Sequence, residues 1–392
     1  MGSVATSPDL ALNLLEALVR CPSVTPEPAG VFEVLERALA PLGFAVVRLR
    51  FEGDGSYPVE NIFATRGSTG RHLLFAGHTD VVPAGDPADW THPPFAAEIA
   101  EGRLYGRGAA DMKSGIAAFV AAVAQAIETG DADRGTISLL ITNDEEADSI
   151  NGTEKAIRWA AEAGHHFDFA IVGEPSAVAR VGDSIKVGRR GSLNGDIVVT
   201  GVQGHSAYPE RAVNPLPLAA ALVAGLSGRL DEGSALFPPT NLEFTSADVG
   251  NGARNVIPGR ALLKFNVRYN DRWTPETLAV HLADRVAAIV AAHPGQGEAV
   301  FSVASRPSRS FVTPTDGPVA LLAEIIAGET GTPPQFSTAG GTSDARFIFQ
   351  YCPVAEFGLV GTTIHKTDEN VALDDLALLT RIYGAFIGRF FA

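Results

Sequence analysis

The sequence predicts an α/β protein in which a smaller domain is inserted into a larger one. The chain has 392 residues, more than the roughly 100–200 that a single domain usually takes. In the first 190 residues, short apolar runs alternate with helix-like segments, which is typical of a mostly parallel sheet covered by helices. The middle of the chain changes to the order β-α-β-β-α-β. We therefore expect residues 1–190 and 306–392 to form the larger domain and residues 191–305 to form the inserted one.

The larger domain is expected to begin with a helix at Ser7-Pro8-Asp9, because a hydroxyl, a proline and an acid in the first turn favour a helix start. Buried strands are expected wherever short apolar runs end at Gly, Asn or Asp. Such runs occupy residues 72–76, 136–142 and 169–172. The Ala-rich stretch 114–129 predicts a helix between two of them, and residues 354–359 predict another strand after the insertion.

The inserted domain is expected to be a two-layer, ferredoxin-like unit. Its predicted strands are 194–200, 242–248, 261–269 and 299–305, and its predicted helices are 216–230 and 275–292.

Composition excludes several classes of protein. A net charge of −15 argues against nucleic acid, because phosphate binding needs a basic surface. Two cysteines, Cys21 and Cys352, are too few for a disulfide framework and suit a reducing compartment. No signal peptide is visible in the first residues, and no apolar run reaches the roughly 18 residues that span a bilayer. We expect a cytoplasmic protein with no membrane or nucleic-acid partner.

Histidines and carboxylates follow four of the predicted strands. His78 comes after the first run, Glu145-Glu146 after the second, Glu174 after the third, and His365 after the strand near residue 359. Ligands of open α/β sheets bind beyond the carboxyl ends of the strands, so these side chains should meet at one edge. Asp111, at the start of the 114–129 helix, adds a fifth potential ligand to the group.

Imidazole together with carboxylate favours zinc over magnesium or calcium. Five ligands (His78, Asp111, Glu146, Glu174 and His365) exceed what one open site uses, so two metals are predicted, with one carboxylate bridging them.

Two further acids have roles that such a centre needs. Asp80 lies two positions from His78 and could accept a hydrogen bond from the ring nitrogen that faces away from the metal. Glu145, next to Glu146, could act as general base towards the attacking water and return the proton to the leaving amine.

Each of these residues also has an ordinary structural interpretation. A single histidine at a strand end usually faces solvent, and adjacent acids usually form a solvated turn. Convergence at one edge is what favours a metal centre. Six histidines without that context are expected to be ordinary: His72, His92, His165, His166, His281 and His293. The segment 106–108, Gly-Arg-Gly, does not match the dinucleotide pattern G-x-G-x-x-G, so a Rossmann-type dinucleotide site is not expected.

The strings GHTDVVP, GRGAADMKSG, TNDEE, GEP and TIHK resemble the zinc aminoacylase and carboxypeptidase family of metallopeptidases. Within that family, KVGRRGSLN, GVQGHSAYPE, NVIPG and STAGGTSDARFI resemble members that act on a succinylated diamino acid. The resemblance covers nearly the whole chain. It implies a hydrolase of lysine and diaminopimelate biosynthesis that converts N-succinyl-L,L-diaminopimelate to succinate and L,L-diaminopimelate.

The resemblance also implies roles for individual residues. His78 and Glu174 would bind one zinc, Glu146 and His365 the other, and Asp111 would bridge them. Cobalt would be a possible substitute for the two zinc ions.

The inserted domain would form a homodimer or act as a lid, and His205 would reach the partner's site to stabilise the oxyanion. Substrate carboxylates would be bound by five residues whose chemistry suits anions: Arg189, Arg190, Ser192, Asn255 and Arg268.

Other functions remain open from the sequence. An acetylornithine deacetylase or a dipeptidase of the same family would use the same centre, although KVGRRGSL and GGTSDARF favour the succinyl substrate. A two-metal phosphoesterase would also use His and Asp clusters, but it should have a more basic pocket. A non-catalytic scaffold would normally lose Glu145 or a ligand, and all are present here.

Overall fold

The structure, a computed structural model, describes residues 7–392, and the chain divides into two compact units. The first unit contains the chain up to Gly188 together with Thr313–Ser337 and Ser343–Ala392. The second unit contains Arg189–Val312 and Thr338–Thr342.

These boundaries differ from the predicted ones mainly after the insertion, where the second unit ends at 312 instead of 305. Ser308 explains the difference, because its backbone exchanges two hydrogen bonds with Ser192 and its carbonyl accepts from the Tyr269 hydroxyl at 2.6 Å. The short segment 338–342 joins the same unit, and there Thr338 donates to the carbonyl of Leu236 at 2.6 Å.

The described strands are β1 Ala45–Gly53, β2 Ser56–Arg66, β3 His72–His78, β4 Glu98–Ala100, β5 Arg103–Tyr105, β6 Thr136–Thr142, β7 Phe169–Val172, β8 Ser184–Lys186, β9 Gly188–Arg189, β10 Gly191–Thr200, β11 Gly204–His205, β12 Gly228–Arg229, β13 Asn241–Asp248, β14 Val256–Ile257, β15 Arg260–Tyr269, β16 Glu298–Val303, β17 Phe311–Val312, β18 Gln335–Ser337, β19 Val354–Glu356 and β20 Asn370–Ala372. The described α-helices are α1 Ser7–Val19, α2 Val31–Leu39, α3 Ser114–Glu128, α4 Thr153–Glu162, α5 Leu216–Leu226, α6 Pro275–Ala292, α7 Gly317–Thr330, α8 Ala345–Ile348 and α9 Leu373–Phe390.

An eight-stranded sheet forms the framework of the first unit, in the order β1-β2-β6-β3-β7-β19-β8-β18. Strands β6, β3, β7 and β19 run parallel, whereas β1–β2, β2–β6 and β19–β8 pair antiparallel. The sheet is therefore mixed, and the prediction of a mostly parallel sheet is corrected. The hairpin β1–β2 accounts for two of the antiparallel pairings. It turns at Gly53-Asp54-Gly55, where all three residues have positive φ.

The central strands of this sheet are fixed by the core around them. Every residue of β3, β6 and β7 is buried, and α3 is buried along nearly its whole length. Phe119 of α3 stacks on Phe75 of β3 with ring centroids 4.3 Å apart, and Tyr383 of α9 meets both rings edge-on. The stretch Ala109–Glu128 has the length and composition of a membrane span, but 89% of its apolar window is buried inside the protein.

The second unit is an antiparallel sheet of five strands in the order β12-β13-β15-β10-β16. Its long elements follow one another as β10, α5, β13, β15, α6 and β16. Buried apolar residues of the sheet, such as Ile197 and Val267, belong to one cluster with Leu222 of α5 and Leu282 of α6. This unit has its own core.

Candidate metal centre

The parallel strands bring most of the predicted ligands to one edge of the first unit's sheet. His78 is the last residue of β3, Glu145 and Glu146 follow β6, and Glu174 lies two residues after β7. These three strands are adjacent and parallel, so their carboxyl ends share an edge. His365 lies in the loop between β19 and β20 instead of directly after a strand, with a left-handed φ of 59°.

Asp111 lies between the two histidines. Its Oδ1 is 3.3 Å from Nε2 of His78, and its Oδ2 is 3.3 Å from Nε2 of His365. Glu174 Oε1 is 3.6 Å from the same nitrogen of His78, and Glu146 Oε1 is 2.9 Å from Nε2 of His365. The five residues thus form two groups that share one carboxylate.

The donor set fits metal ions. His78 Nε2 and Asp111 Oδ1 are buried and have no hydrogen-bond partner, although they lie 3.3 Å apart. A buried polar atom without a partner is costly unless something binds it, and both atoms are metal-ligand types. Potential ligand atoms of His78, Asp111 and Glu146 lie within 4.8 Å of one another, as do those of His78, Glu145 and Glu174.

The Asp80 carboxylate accepts hydrogen bonds from the backbone of Glu145 and Glu146, and not from the ring of His78. It accepts hydrogen bonds from the backbone N–H groups of Glu145 at 3.1 Å and Glu146 at 3.0 Å, and from the Thr25 hydroxyl at 2.8 Å. His78 Nδ1 instead lies 2.9 Å from the backbone oxygen of Asp80 and 3.6 Å from its carboxylate. The predicted bond from the ring to this carboxylate is therefore replaced by one to the backbone, since three other donors occupy the side chain.

Asp144 is a further acid that sequence reasoning left without a role. Its carboxylate accepts from the hydroxyl of Tyr57 at 2.8 Å and from the backbone N–H groups of Ser149, Ile150 and Asn151 at 2.9–3.1 Å. These bonds fix the loop that follows the glutamate pair. The signal in the sequence was its place in TNDEE, but its partners come from residues that no local pattern connects.

Asp344 is another buried acid of the first unit, and it lies in the string GGTSDARF. Thr153 donates to its Oδ2 at 2.7 Å, whereas its Oδ1 is buried without a partner. Burial, with the nearby Asp344 and Glu146 carboxylates, raises the pKa of Glu145 to about 8. Burial and the Asp111 carboxylate likewise raise the pKa of Glu174 well above its ordinary value. A cation bound here would favour the ionised forms of both glutamates.

Nearby carboxylates raise the pKa values of the histidines as well, which favours the protonated imidazoles. Hydrogen bonds to Asp111 and Glu146 raise the pKa of His365 to about 10. Burial alone would lower the pKa of His78, but Asp111, Glu174 and other nearby carboxylates raise it well above its ordinary value. Burial would raise the pKa of Asp111, yet the two histidines 3.3 Å from its oxygens hold it well below the usual range. A metal that binds here would have to displace the protons that these raised pKa values favour on the two imidazoles.

The predicted substrate residues Arg189, Arg190, Ser192 and Arg268 lie in the second unit. Arg189 is buried and donates to the carbonyl of Gly341 at 3.0 Å. Arg190 donates to Asn241 at 3.2 Å, its Nε is buried without a partner, and burial lowers its pKa.

Two of these residues are paired on neighbouring strands of the second unit's sheet. Ser192 of β10 is directly opposite Arg268 of β15. Asn266 donates to the Ser192 hydroxyl at 3.0 Å.

The two remaining predicted residues lie on the surface of the second unit. His205 is exposed in β11, opposite Val256, and its Nδ1 accepts from the backbone of Ala207 at 3.0 Å. Asn255 is also exposed, and its carbonyl accepts from Ser206 at 3.0 Å.

A sequence profile of peptidase family M20/M25/M40 matches residues 74–389. The chain belongs to this family. The matched range includes all five candidate metal ligands and Glu145, and the resemblance stated from the motifs is confirmed.

Members and solved relatives of the family agree with this assignment. The chain is 50% identical, over 99% of its length and 100% of the relative's, to a protein of Rhodopseudomonas palustris (strain TIE-1) named succinyl-diaminopimelate desuccinylase. An aminopeptidase of Bacillus cereus has the same fold, with a TM-score of 0.77, 20% identity and 98% of each chain covered. A Bacillus subtilis protein described as a dinuclear metal-binding peptidase of the M20 family has a TM-score of 0.69 at 15% identity, with 98% of each chain covered. This chain is thus a hydrolase of the family.

Proposed function

We propose that this chain is a two-zinc amide hydrolase that converts N-succinyl-L,L-diaminopimelate and water to succinate and L,L-diaminopimelate. The observation that carries the proposal is the position of Asp111, whose two carboxylate oxygens each lie 3.3 Å from a different histidine. One carboxylate shared between two imidazoles is the arrangement that a pair of metals needs.

In this proposal, His78 and Glu174 would hold one zinc, Glu146 and His365 would hold the other, and Asp111 would be shared by both. Two zinc ions bound here would activate the attacking water and stabilise the negative charge that develops on the carbonyl oxygen. Cobalt would be a functional substitute because it accepts the same nitrogen and oxygen ligands.

Glu145 is the proposed proton carrier. Its carboxylate takes a proton as the water oxygen bonds to the amide carbon, and it delivers that proton to the nitrogen as the carbon–nitrogen bond breaks. The Asp80 carboxylate, bonded to the backbone of Glu145 and Glu146, would hold this side chain in place. Glu145→Gln should therefore keep both metals and lose most turnover, measured as metal content and kcat. Near-normal turnover would refute the assignment.

The substrate is proposed from the Rhodopseudomonas relative and from the second unit's arginines. The substrate carries several carboxylates, and Arg190 has a buried Nε that no protein acceptor satisfies. A guanidinium with spare donors suits a carboxylate. Arg189, Ser192, Asn255 and Arg268 would complete the binding set.

Comparing kcat/KM for succinyl-diaminopimelate, N-acetylornithine and a dipeptide tests this assignment. Preference for acetylornithine or the dipeptide by orders of magnitude would contradict the proposed substrate while leaving the metal chemistry in place. Removing metal with a chelator should abolish activity, and zinc should restore it. Activity that survives complete chelation would contradict the metal mechanism itself.

We further propose a cytoplasmic homodimer formed through the second unit, with ferredoxin-like topology, in which His205 serves the partner's site. Exposed apolar side chains support an interface there, since Val280 of α6 and Val300 of β16 are 62% and 64% exposed. Mixing His205→Ala and Glu145→Gln subunits tests the exchange. Each mixed dimer would contain one intact site, so about a quarter of wild-type activity should return in a random mixture. No recovery from mixed dimers would contradict the role of His205.

A further inference from the structure

A fully buried ion pair joins the chain segments that carry Asp111 and His365. Arg107 Nη1 lies 2.6 Å from Glu369 Oε2, and the two side chains are 4% and 0% exposed. The proposed reaction gives neither residue a role. Burying two charges carries a large desolvation cost that their attraction often only balances, so stability alone is a weak reason for such a pair.

Glu369 fixes the backbone that leads into Asp111. Its second oxygen, Oε1, accepts hydrogen bonds from the N–H groups of Ala110 at 2.9 Å and Asp111 at 3.1 Å. Its own carbonyl accepts from the N–H of Gly106 at 2.8 Å. Asp111 lies in an irregular turn, with φ −121° and ψ 96°, so helical hydrogen bonding does not define its position.

Arg107 reaches the loop of the second histidine. The same Nη1 donates to the carbonyl of Lys366 at 3.1 Å, one residue after His365. The ring of Trp90 lies 5.2 Å from the guanidinium carbon. The His365 side chain is 47% exposed, whereas His78 is 1% exposed and held at a strand end. Because packing does little to fix His365, a bond to the adjacent peptide matters more there.

The small sheet β20-β5-β4 brings the two segments together. Asn370 pairs directly with Tyr105 in the antiparallel ladder β5–β20. Arg107 follows β5 and Glu369 precedes β20, so the ion pair extends the ladder by a side-chain contact.

We propose that Arg107 and Glu369 are a positioning pair that sets the distance between the Asp111 carboxylate and the His365 imidazole. That distance, 3.3 Å from Oδ2 to Nε2, determines whether one metal can contact both residues. The inference rests on the proposed metal centre. It predicts that weakening the pair loosens the metal held by His365 and Glu146 more than the metal held by His78 and Glu174.

The test uses Glu369→Gln and Arg107→Lys in the full-length protein. Glutamine keeps an acceptor for the two N–H groups but removes the charge opposite Arg107. Lysine keeps the charge but lacks the rigid guanidinium plane that fixes the directions of the two hydrogen bonds from Nη1. Two zinc dissociation constants are measured by competition with a chelating dye, and the absorption spectrum of the cobalt-loaded protein reports the ligand geometry. One zinc site should weaken by about 10–100-fold in either variant, as for other residues that orient metal ligands, and the cobalt bands should shift.

Arg66→Met is the matched control. Arg66 is also an arginine in a 2.6 Å ion pair, with Asp133, and it belongs to the same unit. It lies opposite Ile137, near the start of β6 and therefore away from the edge that carries the ligands. This variant should lower thermal stability while leaving both zinc constants and the cobalt spectrum unchanged.

The outcomes separate this inference from the function on which it rests. Wild-type protein that binds no zinc would overturn the metal centre and this inference with it. Wild-type protein that binds two zinc ions, with unchanged constants and spectra in both variants, would overturn the inference alone. If Glu369→Gln does not fold, Arg107→Lys decides the question by the same two measurements.

Discussion

Replacing Thr25 with valine should slow turnover while leaving both metals bound. The Thr25 hydroxyl donates a 2.8 Å hydrogen bond to Oδ2 of Asp80, a carboxylate with no exposed surface. The same oxygen accepts the backbone N–H groups of Glu145 and Glu146 at 3.1 and 3.0 Å. Valine preserves the shape of threonine but removes the donor, so the carboxylate becomes free to shift and to carry the glutamates with it.

The size of the effect follows from the charge on the acceptor. A hydrogen bond to a charged group contributes about 1.5–3 kcal/mol. If the whole loss falls on the reacting state, kcat should fall about 10–100-fold, since about 1.4 kcal/mol corresponds to a tenfold change in rate. If it falls on folding instead, the free energy of unfolding should drop by about 1.5–3 kcal/mol. Because the other two donors to the Asp80 carboxylate are the backbone N–H groups of Glu145 and Glu146, we expect the larger share of the lost free energy to appear in kcat.

The assay measures kcat, KM, metal content and urea unfolding for wild type, Thr25→Val and Thr25→Ser. Serine keeps the hydroxyl and should restore most of the lost rate, with KM little changed in all three. Valine and wild type with equal kcat and equal stability would refute the reasoning. Equal impairment of the serine and valine variants would show that the methyl group matters, not the hydroxyl.

Three further predictions concern protons and packing. If zinc binds as proposed, it must displace a proton from His78 at one site and from His365 at the other, because both pKa values are raised. The apparent affinity of each site should therefore rise by up to about tenfold per pH unit for each proton displaced. Calorimetry in buffers of different ionisation enthalpy checks this, and no proton release would contradict it. Burial lowers the pKa of His72 to about 4, so as pH falls below about 6.5 the unfolded chain takes up a proton before the folded protein does. Up to about 3 kcal/mol of the stability present above pH 6.5 should therefore be lost towards pH 4. His72→Gln should flatten this part of the pH profile of urea unfolding, whereas parallel profiles for the two proteins would exclude this role of His72. A Cβ on Gly115 would lie 2.3 Å from the carbonyl oxygen of Gly173, so Gly115→Ala should lower the free energy of unfolding in urea by about 1–3 kcal/mol and weaken zinc binding. A variant with unchanged stability and zinc affinity would show that α3 can shift to make room for the methyl group.

The strands that carry the site could be predicted because they are buried on both faces. The runs 136–142 and 169–172 coincide with β6 and β7, and 72–76 falls short of β3 by two residues. The hairpin β1–β2 was not predicted, because β1 is mostly exposed and carries charged residues, so it lacks the apolar run that identified the other strands. Its Asp-Gly turn was a readable signal, and including it would have predicted the mixed sheet.

The convergence of His78, Glu146 and Glu174 was predictable because the carboxyl ends of adjacent parallel strands share an edge, whatever the details of the loops. The supporting contacts were not, because they join residues far apart in sequence. Thr25 and Asp80 are 55 positions apart, and Arg107 and Glu369 are 262 apart. Spacing alone suggested that Asp80 bonds to His78, but competition among four potential donors decided otherwise.

The insertion also has a consequence for how the protein is made. Four of the five candidate ligands precede the second unit in the chain, and His365 follows it, 365 − 174 = 191 residues after Glu174. At roughly 5–20 residues per second, a ribosome needs about 10–40 s to cover that interval. Helix α9, whose Tyr383 and Phe386 fill the core of the first unit, emerges later still. The first unit therefore cannot close around bound metals co-translationally, and metal loading is expected to be among the last events in the protein's maturation.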